Sequence, residues 1–239
     1  MILAIIPARG GSKGLPGKHL KRLAGKPVIQ YTIEAARNSK CFDKVVVSSD
    51  SDDILSVAKS LGSDVLKRPS ELATDQSNID DALKHVVETY DRLNIPPSIV
   101  VWLQPNVPIR HPKHIKLIVN ELLTTNADSV VSISPVRFPI EKAMRCDNGR
   151  LSPFFDNIAE KMNRQQYRSS YVTNGSVYAI RRETLMKEKA PGDPYDYFRG
   201  REKKGYIIED PKYGIEINDA FDYHLCEFLL TQESDEESQ

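Results

Sequence analysis

Near the start of the chain lies a segment built to meet negative charge: Arg9-Gly10-Gly11-Ser12-Lys13-Gly14-Leu15-Pro16-Gly17-Lys18. It follows the apolar run Ile2 to Ile6 and brings three cations, Arg9, Lys13 and Lys18, before Lys21, Arg22 and Lys26; the first carboxylate of the chain is Glu34. Closely spaced glycines let backbone N–H groups approach an anion, since no Cβ stands in the way. Flexible backbone with cations beside it suits a phosphate-rich ligand. The spacing is not a dinucleotide fingerprint, because GxGxxG is absent. Nor is it a Walker loop, because Ser12 occupies the position where Gly17-Lys18 would require glycine and His19 replaces the Ser/Thr. Lys21 and Lys26 read as solvated side chains.

The elements that must hold this loop alternate along the chain. Pro27 to Asn38 has apolar residues at helical spacing. Lys44 to Ser49 is a β-branched strand that ends at Asp50, and Ser51 then caps a helix with Asp52 and Asp53 in its first turn. That helix stops at Gly62, and a short strand around Asp64-Val65-Leu66 leads to Arg68-Pro69 and a loop as far as Asn78. Asp80 and Asp81 open a longer helix ending before Pro96-Pro97. Ile99 to Leu103 is an almost continuous apolar strand, as a parallel sheet buried on both faces requires. A helix at Pro112 to Leu123 and a strand at Ser129 to Ser134 follow. This rhythm predicts a doubly wound α/β fold with a mostly parallel sheet. Ligands in such sheets bind beyond the carboxyl ends of the strands. Arg9, Asp50 and Gln104 each follow such an end, so they are expected to share one crevice.

The rhythm breaks between Phe138 and Tyr171, where Asp147-Asn148-Gly149 marks a hairpin turn and Arg164 to Arg168 is polar and basic. It resumes with a strand at Asn174 to Ile180 and an edge strand at Gly205 to Glu209. Tyr195, Tyr197 and Phe198 form either a loop core or an aromatic wall for a ligand. A last helix runs from Ala220 to Leu230 with Phe221, Leu225, Phe228 and Leu229 expected to face inward.

Bulk properties set limits. The chain has 239 residues, 40% of them hydrophobic, enough for one good core. Its 33 basic residues balance 33 acids, which argues against a protein that coats nucleic acid. The final stretch, 233–239, holds four acids and no base and is expected to be disordered. Cys41, Cys146 and Cys226 have no metal or redox spacing and suit reduced thiols. With no membrane-spanning run and no charged leader, the sequence points to a cytoplasmic protein. No histidine pair has metal-ligand spacing, and no GxSxG elbow supports a hydrolase triad.

The run Pro7-Ala8-Arg9-Gly10-Gly11-Ser12-Lys13-Gly14-Leu15-Pro16 resembles the signature of the N-acylneuraminate (CMP-sialic acid) cytidylyltransferases, a branch of the sugar nucleotidyltransferases. Further blocks follow in the family's order: Val47 to Asp50, Arg68 to Asp75, Leu103 to Arg110, Asn174 to Tyr178, and Glu216 to Asp222. The resemblance spans roughly residues 5 to 228. It implies a single cytidylyltransferase domain (1–137 and 172–232) and an inserted dimerisation arm (138–171), hence a homodimer in which Arg164 reaches the partner's site.

The resemblance also implies the chemistry: CMP passes from CTP to the anomeric hydroxyl of an acidic keto-sugar, and pyrophosphate leaves. Charge builds up on phosphate oxygens, so catalysis is mostly positioning and electrostatic stabilisation. Arg9, Lys13 and Lys18 are then the expected catalytic residues. Ala8, Arg9, Gly10, Gly11, Ser12, Asp50, Arg68 and Ser77 are expected to hold the nucleotide. Gln104, Lys142, Arg164, Asn174 and Tyr178 are expected to hold the sugar, with Arg168 a further candidate for its carboxylate. Magnesium would neutralise the departing pyrophosphate. At its site the family has Asp-Ile-Asp, whereas this chain has Glu216-Ile217-Asn218, so Glu216, Asn218 and Asp219 are the candidate ligands, unless Asn218 and Asp219 only cap the last helix.

Other departures are His19 for asparagine, Asn106-Val107 for Thr-Ser, and Val172 where arginine is frequent. These lie on the sugar side of the expected site. The acceptor therefore stays open among N-acetylneuraminic acid, a legionaminic or pseudaminic type of acid, and another 3-deoxy-ulosonic acid. A sugar-1-phosphate nucleotidyltransferase using another base, and a nucleotide-binding module without catalysis, are the competing readings.

Overall fold

The computed structural model describes residues 1–11, 14–155, 169–187 and 200–236. Strand β1 (Ile2–Pro7) explains the architecture. Leu3 and Ile5 point to one face and Ala4 and Ile6 to the other, and all four are fully buried, so the strand must be covered on both sides. A short hairpin, β2 (Arg22–Leu23) and β3 (Lys26–Pro27), leads into α1 (Val28–Ser39), which starts directly after Pro27. Then come β4 (Lys44–Ser49), α2 (Asp52–Ser60), β5 (Asp64–Lys67), α3 (Ile79–Arg92), β6 (Ile99–Trp102), α4 (Pro112–Thr124) and β7 (Ser129–Pro135). As expected, Ser51 caps α2, its hydroxyl accepting from the Ile54 amide.

The central sheet has seven strands in the order β11-β7-β10-β6-β1-β4-β5, completed by β10 (Tyr171–Arg181) and β11 (Lys203–Ile207). Six strands run one way. Strand β10 runs antiparallel to both its neighbours, β6 and β7. One apolar cluster packs α1, α2 and α4 on one face, and a second packs α3 and the short α5 (Arg182–Met186) on the other. Strand order reverses between β1 and β6: the chain steps outward through β4 and β5, then returns to the opposite side of β1. That reversal opens a crevice where both strands end, the usual ligand position in a doubly wound sheet.

After β7 a hairpin, β8 (Met144–Asp147) and β9 (Arg150–Pro153), stands away from the sheet. Asn148 and Gly149 both have positive φ, as a two-residue turn of this kind requires. All eight of its strand residues are exposed.

The last helix, α6 (Ala220–Glu236), differs from expectation in two respects. Phe221 and Phe228 are 75% and 59% exposed and Leu225 is also exposed, while Tyr223 and Cys226 are buried and Leu229 and Leu230 pack beside them. The helix is apolar nearly all round, so its spacing fits two stripes, and the inward one is set by contact with Leu23, Val28, Ile109 and Ile217. Its backbone also continues as far as Glu236, into the stretch expected to be disordered. Glutamate is a good helix former, and extending an existing helix is easy compared with starting one.

Candidate active site

Backbone pairing continues past β1: the Ala8 amide donates to the Ser48 carbonyl at 2.9 Å, and Ala8 is buried. The chain then leaves the sheet. The Gly10 amide donates to Asp50 Oδ1 at 2.9 Å, so the carboxylate at the end of β4 anchors the glycine loop. A Cβ on Gly10 would crowd that of Ser51 at 3.1 Å, whereas Gly11 faces open space. Ser12 and Lys13 lie outside the described residues, as do Arg164, Arg168, Tyr195, Tyr197 and Phe198. Beyond them Gly14 lies flat against the backbone carbonyl of Asn218, where any Cβ would collide with it. Lys18 Nζ donates to the Ile217 carbonyl at 3.0 Å. The loop is therefore docked on the segment that precedes α6.

Arg9 turns toward the loop after β5. Its Nη1 donates to Asp75 Oδ1 at 2.8 Å and to the Thr74 carbonyl at 3.2 Å. The pair is partly exposed, so its own contribution to stability is small. In the same loop the Ser77 hydroxyl accepts from the Thr74 amide at 3.0 Å and donates to the Glu71 carbonyl at 2.8 Å, which fixes the turn.

Arg68, at the base of this loop, is only 5% exposed, and among the described residues neither Nε nor Nη2 has a hydrogen-bond partner. Burial holds its pKa below the ordinary value; Asp50 acts against that and Arg9 with it. A buried guanidinium with idle donors is costly unless an acceptor reaches it. Burial likewise lowers the Lys18 ammonium, opposed by Glu216, assisted by Arg9 and opposed more weakly by Asp222.

The opposite wall follows β6. Trp102 and Gln104 line it together with Pro105 and Asn106. Gly175, at φ +70°, brings its backbone against Gln104: a Cβ there would lie 2.6 Å from Oε1. Tyr178 stacks on Trp102, ring centroids 4.3 Å apart, and so sits behind the wall. The buried Asn174 uses its amide within β10 and β7: Oδ1 accepts from Ser132 Oγ at 2.5 Å and Nδ2 donates to Ser134 Oγ at 2.9 Å. Lys142 is exposed on a helical turn before β8.

Thus Arg9, Lys18, Arg68, Ser77, Gln104 and Glu216 line one cleft of about 320 Å³. Asp50 braces its loop, and Asn174 and Tyr178 support its wall. Sequence reasoning did not name Trp102 for the cleft, and it noted His19 and Asn106 only as departures on the sugar side of the expected site. Their signal was position: each lies beside a residue already singled out at a strand end.

The expected metal ligands separate. Glu216 lines the cleft and accepts from Asn106 Nδ2 at 3.0 Å. Asp219 accepts from the Asp222 amide at 3.1 Å, while Asp222 Oδ2 accepts from the amides of Asn218 at 2.9 Å and Asp219 at 3.3 Å. That reciprocal pair is a helix cap, which engages Asp219 Oδ1 and Asp222 Oδ2. Asn218 is exposed. Among the described residues no group of three or more His, Cys, Asp or Glu could hold a metal ion. A single carboxylate still fits magnesium, which is commonly bound by one or two carboxylates plus substrate phosphates and water.

A cytidylyltransferase family model matches residues 3–228. The chain belongs to the cytidylyltransferase family. The chain is 35% identical over 226 residues to N-acylneuraminate cytidylyltransferase of Escherichia coli, covering 94% of this chain and 51% of that protein. It is 33% identical over 233 residues to CMP-N,N'-diacetyllegionaminic acid synthase of Legionella pneumophila, covering 96% of each. The chain thus spans about half the length of the first relative and nearly all of the second. A solved structure of CMP:2-keto-3-deoxy-manno-octonic acid synthetase complexed with CTP superposes with a TM-score of 0.71 at 19% identity, covering 97% of this chain and 99% of that one, a likeness of fold.

Proposed function

We propose that this cytidylyltransferase transfers CMP from CTP to the anomeric hydroxyl of an acidic nonulosonate sugar and releases pyrophosphate. The observation that carries the reading is the gathering of Arg9, Lys18 and Arg68, whose Nε and Nη2 have no partner among the described residues, around one cleft beside a docked glycine loop. Three cations with two carboxylates, Glu216 and the Asp75 that pairs with Arg9, suit a triphosphate better than a neutral ligand. Arg9 and Lys18, with Lys13, hold the triphosphate. Arg68 meets an acceptor on the nucleotide, and Gln104 contacts the sugar. Relatives named for N-acylneuraminate and for legionaminic acid support an acidic nine-carbon acceptor.

Magnesium belongs to the reading as a phosphate-bridging ion held on the protein side by Glu216; when bound, it supplies charge neutralisation for the leaving pyrophosphate. Lys18 and Arg9 add fixed positive charge on the same phosphates, without reorganisation at the moment of reaction.

The arm at 138–171 is proposed as a dimer contact, with Arg164 reaching the neighbouring site. An isolated hairpin is marginal in water, and Phe138 (77% exposed), Leu151 and Phe154 present apolar surface around β8 and β9. A cytoplasmic location completes the proposal; no helix among the described residues is long and apolar enough to cross a membrane.

The test is pyrophosphate release with CTP, UTP, GTP and ATP against a panel of 2-keto-3-deoxy acids, with and without magnesium. Release confined to CTP, magnesium and an acidic sugar is expected. Equal release with UTP, or none with any acid, would overturn the reading. Sedimentation of the protein, expected at the mass of a dimer, checks the arm.

A further inference from the structure

His19 stands in the N-terminal loop where the resembled family usually has asparagine. Its ring is 5% exposed and lines the cleft beside Lys18 and Arg9. Nδ1 lies 3.1 Å from the backbone carbonyl of Arg9. A carbonyl has no hydrogen to offer, so this contact requires one on Nδ1. Two states satisfy it: the charged ring, or the neutral ring with Nε2 bare.

The surroundings select the second. Burial acts first, and Lys18, Arg68 and Arg9 add to it, lowering the pKa to about 4 against the favourable contact with the Arg9 carbonyl. At neutral pH the ring is uncharged, its Nδ1 hydrogen committed to Arg9. Among the described residues nothing donates to Nε2, which leaves that lone pair to the cleft the ring lines.

We infer that His19 Nε2 is a fixed hydrogen-bond acceptor that reads a hydroxyl of a bound substrate, on the ribose of CTP or on the acidic sugar. The inference rests on the proposed function for the identity of those substrates. A bare lone pair repels phosphate oxygens, so the phosphates are directed to Lys18 and Arg9, which line the same cleft, and a hydroxyl to the ring. Asparagine could both donate and accept at this place; His19 in this tautomer only accepts. The substitution therefore acts as a filter for O–H donors.

Ring-nitrogen NMR of the histidine-labelled protein tests this without any variant. The free protein is expected to show hydrogen on Nδ1 and none on Nε2. The Nε2 resonance then shifts on adding CTP but not dideoxy-CTP, which lacks both ribose hydroxyls, or on adding N-acetylneuraminic acid to protein already saturated with CMP. The first pattern assigns the ribose and the second the sugar. Hydrogen on Nε2, a charged ring at neutral pH, or a resonance that distinguishes neither CTP from dideoxy-CTP nor the CMP-bound protein with the sugar from that without it overturns the inference.

In kinetics, His19→Phe is expected to raise KM about tenfold for the ligand that moves the resonance, with a smaller change in kcat, one hydrogen bond being about a factor of ten. His19→Asn, which can still accept through Oδ1, restores most of it. Pyrophosphate release by the unaltered protein reports on the proposed function separately: its absence would sink that reading whatever the spectrum shows.

Discussion

Arg110 Nη2 donates to the backbone carbonyl of Gln104 at 2.9 Å, from a buried position with no carboxylate beside it among the described residues. The same guanidinium donates through Nε to the Ser176 carbonyl at 2.8 Å and through Nη1 to Thr32 Oγ1 at 2.8 Å. One side chain thus joins the loop after β6, the irregular part of β10, and α1. Arg110→Met leaves these acceptors short of a donor in a buried setting. A loss of about 2–3 kcal/mol is expected, measured by urea unfolding. Arg110→Lys keeps the charge but not the fork, and should recover only part of it.

Gly175 is where that support reaches Gln104. Gly175→Ala must place a Cβ 2.6 Å from Gln104 Oε1 and hold alanine at φ +70°. The strain costs about 1–2 kcal/mol. The larger effect is expected on the acceptor: KM for the acidic sugar should rise about tenfold with KM for CTP little changed. Initial rates with each substrate varied in turn check the split.

On the proposed function, Lys18→Ala removes a donor to the triphosphate, and it also removes the hold on the Ile217 carbonyl. Losing a preorganised donor to developing charge is worth about 3 kcal/mol, so turnover should fall roughly a hundredfold. Single-turnover rates at saturating CTP measure it, and activity within twofold of the parent would remove Lys18 from the mechanism.

Glu216 and Asp219 should behave differently although they lie close in sequence. Glu216→Gln is expected to raise the magnesium concentration needed for half-maximal rate, with little change in melting temperature. Asp219→Ala removes a helix cap, so it should cost about 1 kcal/mol of stability and leave the magnesium requirement alone. Magnesium titrations and thermal melts on both variants separate metal from cap.

His19 gives the protein a pH dependence whose sign follows from burial. An unfolded histidine titrates near 6.5 and the buried ring at about 4. Between those values the unfolded chain holds more protons, so stability falls as pH drops from 6.5 toward 4. The limit of the loss is roughly 3 kcal/mol. In His19→Asn this part of the slope should vanish, seen by comparing urea midpoints of the two proteins across that range.

Much of this was legible in the sequence because strand and helix alternate cleanly, and the apolar runs at Ile2 to Ile6 and Ile99 to Leu103 leave no polar face. Ends of parallel strands point to the cleft, which is how Arg9 and Gln104 could be placed together in advance. An apolar run carries no arrow, however, so the reversal of β10 was hidden. Its consequence is local: Asn174 and Tyr178 enter from the opposite direction and support the wall rather than line it. Helix α6 was misjudged for a related reason, since Phe221, Leu225 and Phe228 repeat as regularly as Tyr223, Cys226 and Leu230. Arg110 carried no signal of its own beyond its block, and His19 stood out only as a departure from asparagine, until long-range packing buried both.

The contact of Gly14 with the Asn218 carbonyl has a bearing on how the protein is made. On the ribosome, a nascent chain that has emerged only through β7 already has β1, β4, β5 and β6 to pair and Asp50 to hold Gly10, yet the far end of its glycine loop, at Gly14, has nothing to rest on. The mouth closes when Ile217 and Asn218 arrive from the tunnel and meet Lys18 and Gly14. Capacity to grip nucleotide thus comes late in synthesis, after the scaffold that carries it.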